Sequence, residues 1–141
     1  MKRLFALFII LSAFTSCSIS DDGPNYYYEI MPVESVSMPE SFTVGNIYEI
    51  SMTYLRPNSC YVFNDIYYSY DDQTTRTVAV ICTVYDGTGT TNSCEELDYP
   101  EYDVSFNFQP MTVGTYTFKF WQGEDASGED EFLVVQVEVT N

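Results

Sequence analysis

Tyrosine and tryptophan carry most of the recognisable side-chain chemistry in this chain, with thirteen tyrosines and one tryptophan among 141 residues. They come in clusters. Tyr26-Tyr27-Tyr28 form one, Tyr67-Tyr68 with Tyr70 a second, and Tyr99 and Tyr102 flank an acidic stretch. In an extended segment successive side chains point to opposite faces, so one ring of each adjacent pair must face outward. Trp121 is likewise out of phase with Phe118 and Phe120. An outward aromatic ring beside carboxylates offers a sugar a flat apolar face and acceptors for its hydroxyls. It suits a protein interface equally well, where Tyr and Trp anchor the binding energy. Trp121, Tyr67 and Tyr99 are therefore the candidate binding residues, for a partner protein first and a glycan second. The competing reading is structural: tyrosines on edge strands pack their rings and leave only the hydroxyl wet.

Acidic side chains outnumber basic ones 21 to 5, for a formal net charge of −16. No Lys or Arg cluster occurs beyond the first three residues, which argues against a nucleic-acid partner. The densest acidic stretches are Glu95, Glu96, Asp98, Glu101 and Asp103, then Glu124, Asp125, Glu129, Asp130 and Glu131. Calcium takes about six to eight oxygens from a loop that curls around it. Neither stretch has the alternating acidic spacing that would specify such a loop, so solvated acid is the favoured reading. No metal or cofactor is assigned, with Ca2+ the weaker alternative. Two carboxylates could also serve as a glycosidase pair, but that chemistry needs a cleft and a raised pKa on one partner. Histidine, the commonest general base, is absent. No catalytic residue is assigned, and the chain is expected not to be an enzyme.

The elements that must position these residues have period two. Tyr48, Ile50, Met52 and Tyr54 form one row, and Val78, Val80, Cys82 and Val84 another. Tyr102, Val104, Phe106 and Phe108 follow, then Tyr116, Phe118 and Phe120, then Leu133, Val135, Val137 and Val139. Turn residues separate them, among them Pro57-Asn58-Ser59, Asp71-Asp72-Gln73 and the stretch 123–128. With 33–38 as a first strand and 61–70 as a third, about seven short strands predict two antiparallel sheets packed face to face. The expected fold is all-β, a seven-stranded antiparallel sandwich over residues 26–141.

Met1-Lys2-Arg3 precedes an eleven-residue apolar run, LFALFIILSAF. A transmembrane helix needs about 20 such residues, so the run has the size of a signal-peptide core. Thr15-Ser16-Cys17 follows and resembles the lipobox of bacterial lipoproteins, with Phe14 and Ser16 in the manner of its relaxed Bacteroidota form. The resemblance implies a signal peptide over 1–16, a diacylglycerol on Cys17, and a tether over 17–25. Cleavage would remove Lys2 and Arg3 and no acid, moving the net charge from −16 to −18. Fully extended, the eight tether residues after Cys17 reach at most about 28 Å. Asp21-Asp22 is similar to the export signal of Bacteroidota surface lipoproteins. It implies an outer-membrane anchor at the cell surface, with the periplasmic face as the alternative.

Cys60, Cys82 and Cys94 then remain in an oxidising compartment, where one disulfide and one free thiol are expected. A hairpin closing at Asp71-Asp72-Gln73 puts Cys60 and Cys94 at one end of the sandwich. Its registers place Cys60 opposite residues 83 to 85, off register for Cys82, which lies on a core row. The expected bridge is Cys60–Cys94, with Cys82–Cys94 as the alternative.

Gly114-Thr115-Tyr116-Thr117-Phe118 resembles the tyrosine corner of immunoglobulin-like domains, with Phe118 where the second cysteine would stand. Pro39, Phe42, Gly45, Tyr48-Glu49-Ile50, Arg56-Pro57-Asn58-Ser59-Cys60, Arg76-Thr77-Val78-Ala79-Val80 and Phe118-Lys119-Phe120-Trp121-Gln122-Gly123 together resemble a group of flavobacterial (Bacteroidota) lipoproteins with a single Ig-like domain. That resemblance implies an envelope location and an Ig-like or fibronectin-like sandwich. It implies no activity and no site.

Overall fold

The computed structural model describes residues 26–86 and 93–141. The expectations for the signal segment 1–16, for Cys17 and for the tether 17–25 lie outside the described residues. Nine strands are present among them, not the seven expected. They are β1 (Tyr26–Met31), β2 (Val33–Ser37), β3 (Ser41–Thr43), β4 (Tyr48–Leu55), β5 (Tyr61–Tyr70), β6 (Thr75–Tyr85), β7 (Glu101–Phe108), β8 (Gly114–Glu124) and β9 (Asp130–Thr140). They form an all-β arrangement of two sheets, one with six strands and one with three in the order β2-β4-β7.

The additional strands come from the first twenty residues of the domain. Pro32 has no N–H to give to a ladder. At that point the chain leaves β1, paired to β6, and enters β2, paired to β4 in the other sheet. After Pro39 it returns as β3, which runs parallel to β9. A second parallel pairing joins β6 to β8. The fully antiparallel sandwich expected from the periodicity is therefore corrected at two pairings.

β6 organises the larger sheet. Its residues 80–84 pair with both β1 and β5, and its residues 76–78 with both β5 and β8. A strand has two edges, so β1 and β8 share one edge of β6 and β5 takes the whole of the other. β5 is consequently an outermost strand, as are β7 and β2 of the smaller sheet.

The expected inward rows meet between the sheets. Ile50, Met52, Tyr54, Val78, Val80, Cys82, Phe118 and Phe120 are all buried. Phe118 is central: its ring lies 5.0 Å from Phe108 across the sandwich and 6.1 Å from Phe120 along its own strand. Tyr116 is buried with its hydroxyl 3.0 Å from Thr112 Oγ1. The hydroxyl thus reaches a side chain four residues upstream.

Two hairpins are closed by aspartates. Asp72 Oδ1 accepts the N–H groups of Thr74 (2.8 Å) and Thr75 (2.7 Å), and Asp125 Oδ1 accepts those of Ser127 (2.7 Å) and Glu129 (3.0 Å). Gly128, at φ 84°, supplies the left-handed residue of the second turn. These bonds favour the carboxylate form. The Asp72 carboxyl is held below the usual range chiefly by the Thr74 N–H, and that of Asp125 chiefly by the Ser127 hydroxyl. A depressed folded-state pKa contributes stability above the unfolded value, about 3.9. That contribution is lost as pH falls through the folded value. Acidification below about pH 4 is expected to lower the melting temperature. An Asp72→Asn/Asp125→Asn double variant, followed by circular dichroism, should show a shallower fall. Identical slopes would mean the two turns do not report folding.

Candidate binding surfaces

Register determines where each candidate ring points, because residues directly opposite one another across a pair share a face. Val78, Val80, Cys82 and Val84 face the core, so Ala79, Ile81 and Thr83 of β6 face out. Tyr67 lies opposite Ala79, Ile30 opposite Ile81 and Tyr28 opposite Thr83. On the far side of the sheet, Trp121 lies opposite Phe132 and Lys119 opposite Val134, in phase with each other and out of phase with buried Phe118 and Phe120.

The outer face of the six-stranded sheet therefore carries Tyr28, Ile30, Tyr67, Trp121, Phe132 and Val134. Tyr28 is 60% exposed and Val134 53%, while Trp121 is half-buried. Ala79 points the same way yet is almost fully covered, so larger side chains flank it and the face dips there. Trp121 donates its indole N–H to Asp130 Oδ1 at 2.7 Å. Lys119 sits 4.5 Å from the Phe132 ring centre and pairs with Asp71 at 3.5 Å.

The outer face of the three-stranded sheet is different in kind. Ser51 and Ser37 face each other there, Thr53 Oγ1 donates to Asp103 at 2.6 Å, and Ser105 Oγ donates to Glu49 at 2.6 Å. The aromatic rings stand on the outer face of the larger sheet, which also carries the Thr115–Glu138 and Thr77–Asp71 pairs; the outer phase of the smaller sheet has none. Several exposed apolar side chains thus lie together on one sheet face, the kind of patch that interaction surfaces use.

Of the three candidate binding residues, the structure brings Tyr67 and Trp121 onto one face. Tyr99 stays apart, in the loop 93–100. That loop is tied to the β4–β5 turn by the Cys60–Cys94 disulfide, by the Ser59 N–H to Glu95 O (2.9 Å) and by the Glu95 N–H to Ser59 Oγ (2.8 Å). The bridge is the expected one, with Cα atoms 5.1 Å apart, and the Tyr85 N–H to Cys60 O bond confirms the hairpin register. Cys82 is free and buried, and burial pushes its thiol upward. Among the described residues no three His, Cys, Asp or Glu side chains gather where a metal ion could be held. Asp125, part of the second acidic stretch, is spent on its own turn.

Sequence reasoning missed Ile30, Phe132 and Val134 on the aromatic face. The signal was present: Phe132-Leu133-Val134-Val135 and Val78 to Cys82 are apolar on both phases, which a strand wet on one side has no reason to be. It also missed a groove on the open flank of the sandwich, between β5 and β7. This groove has a volume of about 920 Å³ and is lined by Tyr68, Tyr70, Phe106, Met111 and Tyr116, with Arg76 among them. Arg76 was legible too, because it stands two residues before Val78, on the inward row.

No protein-family model matches the chain, and no curated protein or solved structure matches it either.

Proposed function

We propose that the chain is a non-enzymatic, lipid-anchored binding module of the bacterial outer membrane. It holds another envelope protein against the outer face of its six-stranded sheet. In this reading the signal segment 1–16 is removed, Cys17 carries the lipid, the tether 17–25 spaces the domain from the membrane, and the domain is a variant of the Ig-like sandwich. Tyr116, with its hydroxyl bonded upstream, supports that kinship. The observation that carries the binding function is that Ile30, Tyr67, Trp121 and Val134 share the outer face of the larger sheet, whereas the outer phase of the smaller sheet holds Glu49, Ser51, Thr53, Asp103 and Ser105 with no aromatic ring among them. Burying such rings against a partner contributes far more than the same area of solvated polar side chains. The net charge of −16 favours a partner with a basic rim around its contact, which raises the encounter rate.

The test is a photocrosslinking side chain placed at Val134 on the aromatic face, or at Ser51 on the polar face, in the anchored protein of intact cells. A single product from Val134 and none from Ser51 is expected, and it should leave the membrane fraction with Cys17→Ala. Equal products from both positions, or none from Val134, would remove the assignment.

The second reading is glycan binding, favoured by Trp121 and Tyr67 sharing one face with Asp130 beside the indole. A sugar stacked on the only tryptophan should quench its fluorescence. A polysaccharide panel that leaves the emission unchanged would count against this reading and leave the protein-partner reading in place.

A further inference from the structure

A second site, independent of the aromatic face, lies in the groove between β5 and β7. These strands belong to different sheets, and each has one edge without a strand partner among the described residues. Across the groove Tyr68 meets Phe106 edge to face at 5.5 Å, which closes its floor. In a chain of 21 acids and 5 bases, the lining contains a single acid, Asp65, and a single base, Arg76.

Arg76 is unusual in its surroundings. Its side chain is 94% buried (6% exposed), and it makes no ion pair among the described residues. Nη1 donates to the carbonyls of Asp72 (2.9 Å) and Thr75 (2.8 Å), and Nη2 to that of Gln73 (3.1 Å). The guanidinium lies 4.3 Å from the Tyr70 ring centre and 5.4 Å from that of Tyr116. The Asp72 carboxylate is engaged with Thr74 and Thr75. A guanidinium has five N–H donors, and Nε–H of Arg76 is buried without an acceptor. Leaving a charged donor unpaired in a buried site is costly, and a carboxylate from outside would satisfy it.

We infer that the groove binds an extended peptide segment of a partner protein and that Arg76 receives, through Nε–H, a carboxylate which that segment carries. The strand edges decide for a peptide. Only a peptide can use the free backbone groups of β5 as a ladder while its alternate side chains enter an aromatic trough. β5 is bulged between Phe63 and Asp65 in its pairing with β6, and Asp65 Oδ1 takes the Ile66 N–H. The regular stretch left for ladder pairing is the 66–70 end, beside Arg76.

The test is a nuclear magnetic resonance titration of the purified, nitrogen-15-labelled chain. The probes are decapeptides of alternating Thr and Val with one Glu at successive central positions, their Glu→Gln twins, and trigalacturonate. Arg56 provides an internal control, since its Nε–H is also buried without an acceptor but its guanidinium stacks on Tyr102 of the polar-faced sheet. At least one Glu peptide is expected to move the Arg76 Nε–H signal and the backbone amides of residues 66–70, leaving Arg56 in place. Its Gln twin should bind at least tenfold more weakly. Met111→Glu, at a position 71% exposed and so neutral for folding, should weaken the Glu peptide at least fivefold. Arg76→Lys should abolish the preference for Glu over Gln, and if that variant does not fold, the wild-type titration and Met111→Glu decide. No movement with any peptide at millimolar concentration, equal binding of the Gln twins, or a response to trigalacturonate alone would each overturn the assignment.

Discussion

Phe118→Ala is expected to lower the unfolding free energy by about 3–5 kcal/mol, the range for an aromatic truncated in a packed core. Phe118 is fully buried and packs against rings from two other strands, Phe42 on β3 at 6.4 Å and Phe108 on β7 at 5.0 Å, and Phe108 in turn meets Tyr116 at 5.5 Å. β7 belongs to the other sheet, so the loss falls on the contact that holds the two layers together. The cavity has little means of collapse, because its walls are themselves aromatic and sit on paired strands. Urea unfolding should show a lower midpoint with the slope unchanged. Tyr67→Ala, on the outer face, is the control and should cost less than about 1 kcal/mol. Similar losses from the two variants would mean that the sheets are not held by this cluster.

The second large effect concerns the Cys60–Cys94 bridge, which closes a loop of sequence separation 34. Restricting the unfolded chain over that length contributes about 3–4 kcal/mol in the chain-entropy treatment. A Cys60→Ala/Cys94→Ala double variant should lose most of that amount. Cys60 is buried, so alanine there leaves a small void and places the loss toward the upper end. The bridge also holds the loop 93–100 against the β4–β5 turn, where the Ser59–Glu95 bonds would be freed first. Cys82 provides a second reading of the same protein. Its thiol is fully buried and pushed upward by desolvation, so little thiolate, the reactive form, is present. Iodoacetamide should leave Cys82 unlabelled in the folded protein and label it on unfolding. Non-reducing peptide maps should recover residues 60 and 94 together. Recovery of Cys82 in a bridge, or a double variant as stable as the wild type, would contradict the structure.

These two effects also separate the places where the aromatic residues act. Phe118, Phe108 and Phe42 hold the layers together, whereas Tyr67, Trp121 and Val134 face water. Charge does not distinguish the two sets, because the three cations outside the first three residues each lie on a ring: Arg56 on Tyr102, Arg76 on Tyr70, Lys119 on Phe132. With so few cations in an acidic chain, aromatic faces take a large part in holding them.

Much of the fold was determined by the sequence alone, because alternation along a strand is a local property of the backbone. The rows Ile50-Met52-Tyr54, Val78-Val80-Cys82 and Tyr116-Phe118-Phe120 each specified which face enters the core, and the structure buries those rows. The Cys60–Cys94 pairing was legible for the same reason, since one hairpin with a short turn sets its register. Tyr67 and Trp121 were separately marked as outward by phase. Their sharing of one face, and the company of Ile30 and Val134, depended on strand order across the sheet. Tertiary structure alone decided that β8 pairs parallel to β6, that β1 shares the same edge, and that the chain changes sheet at Pro32. Such pairings join residues far apart in sequence and leave no periodic mark on either strand. The groove is their direct consequence: with β8 and β1 on one edge of β6, β5 is left at the flank opposite β7, and Arg76 is enclosed between tyrosines with one donor unpaired.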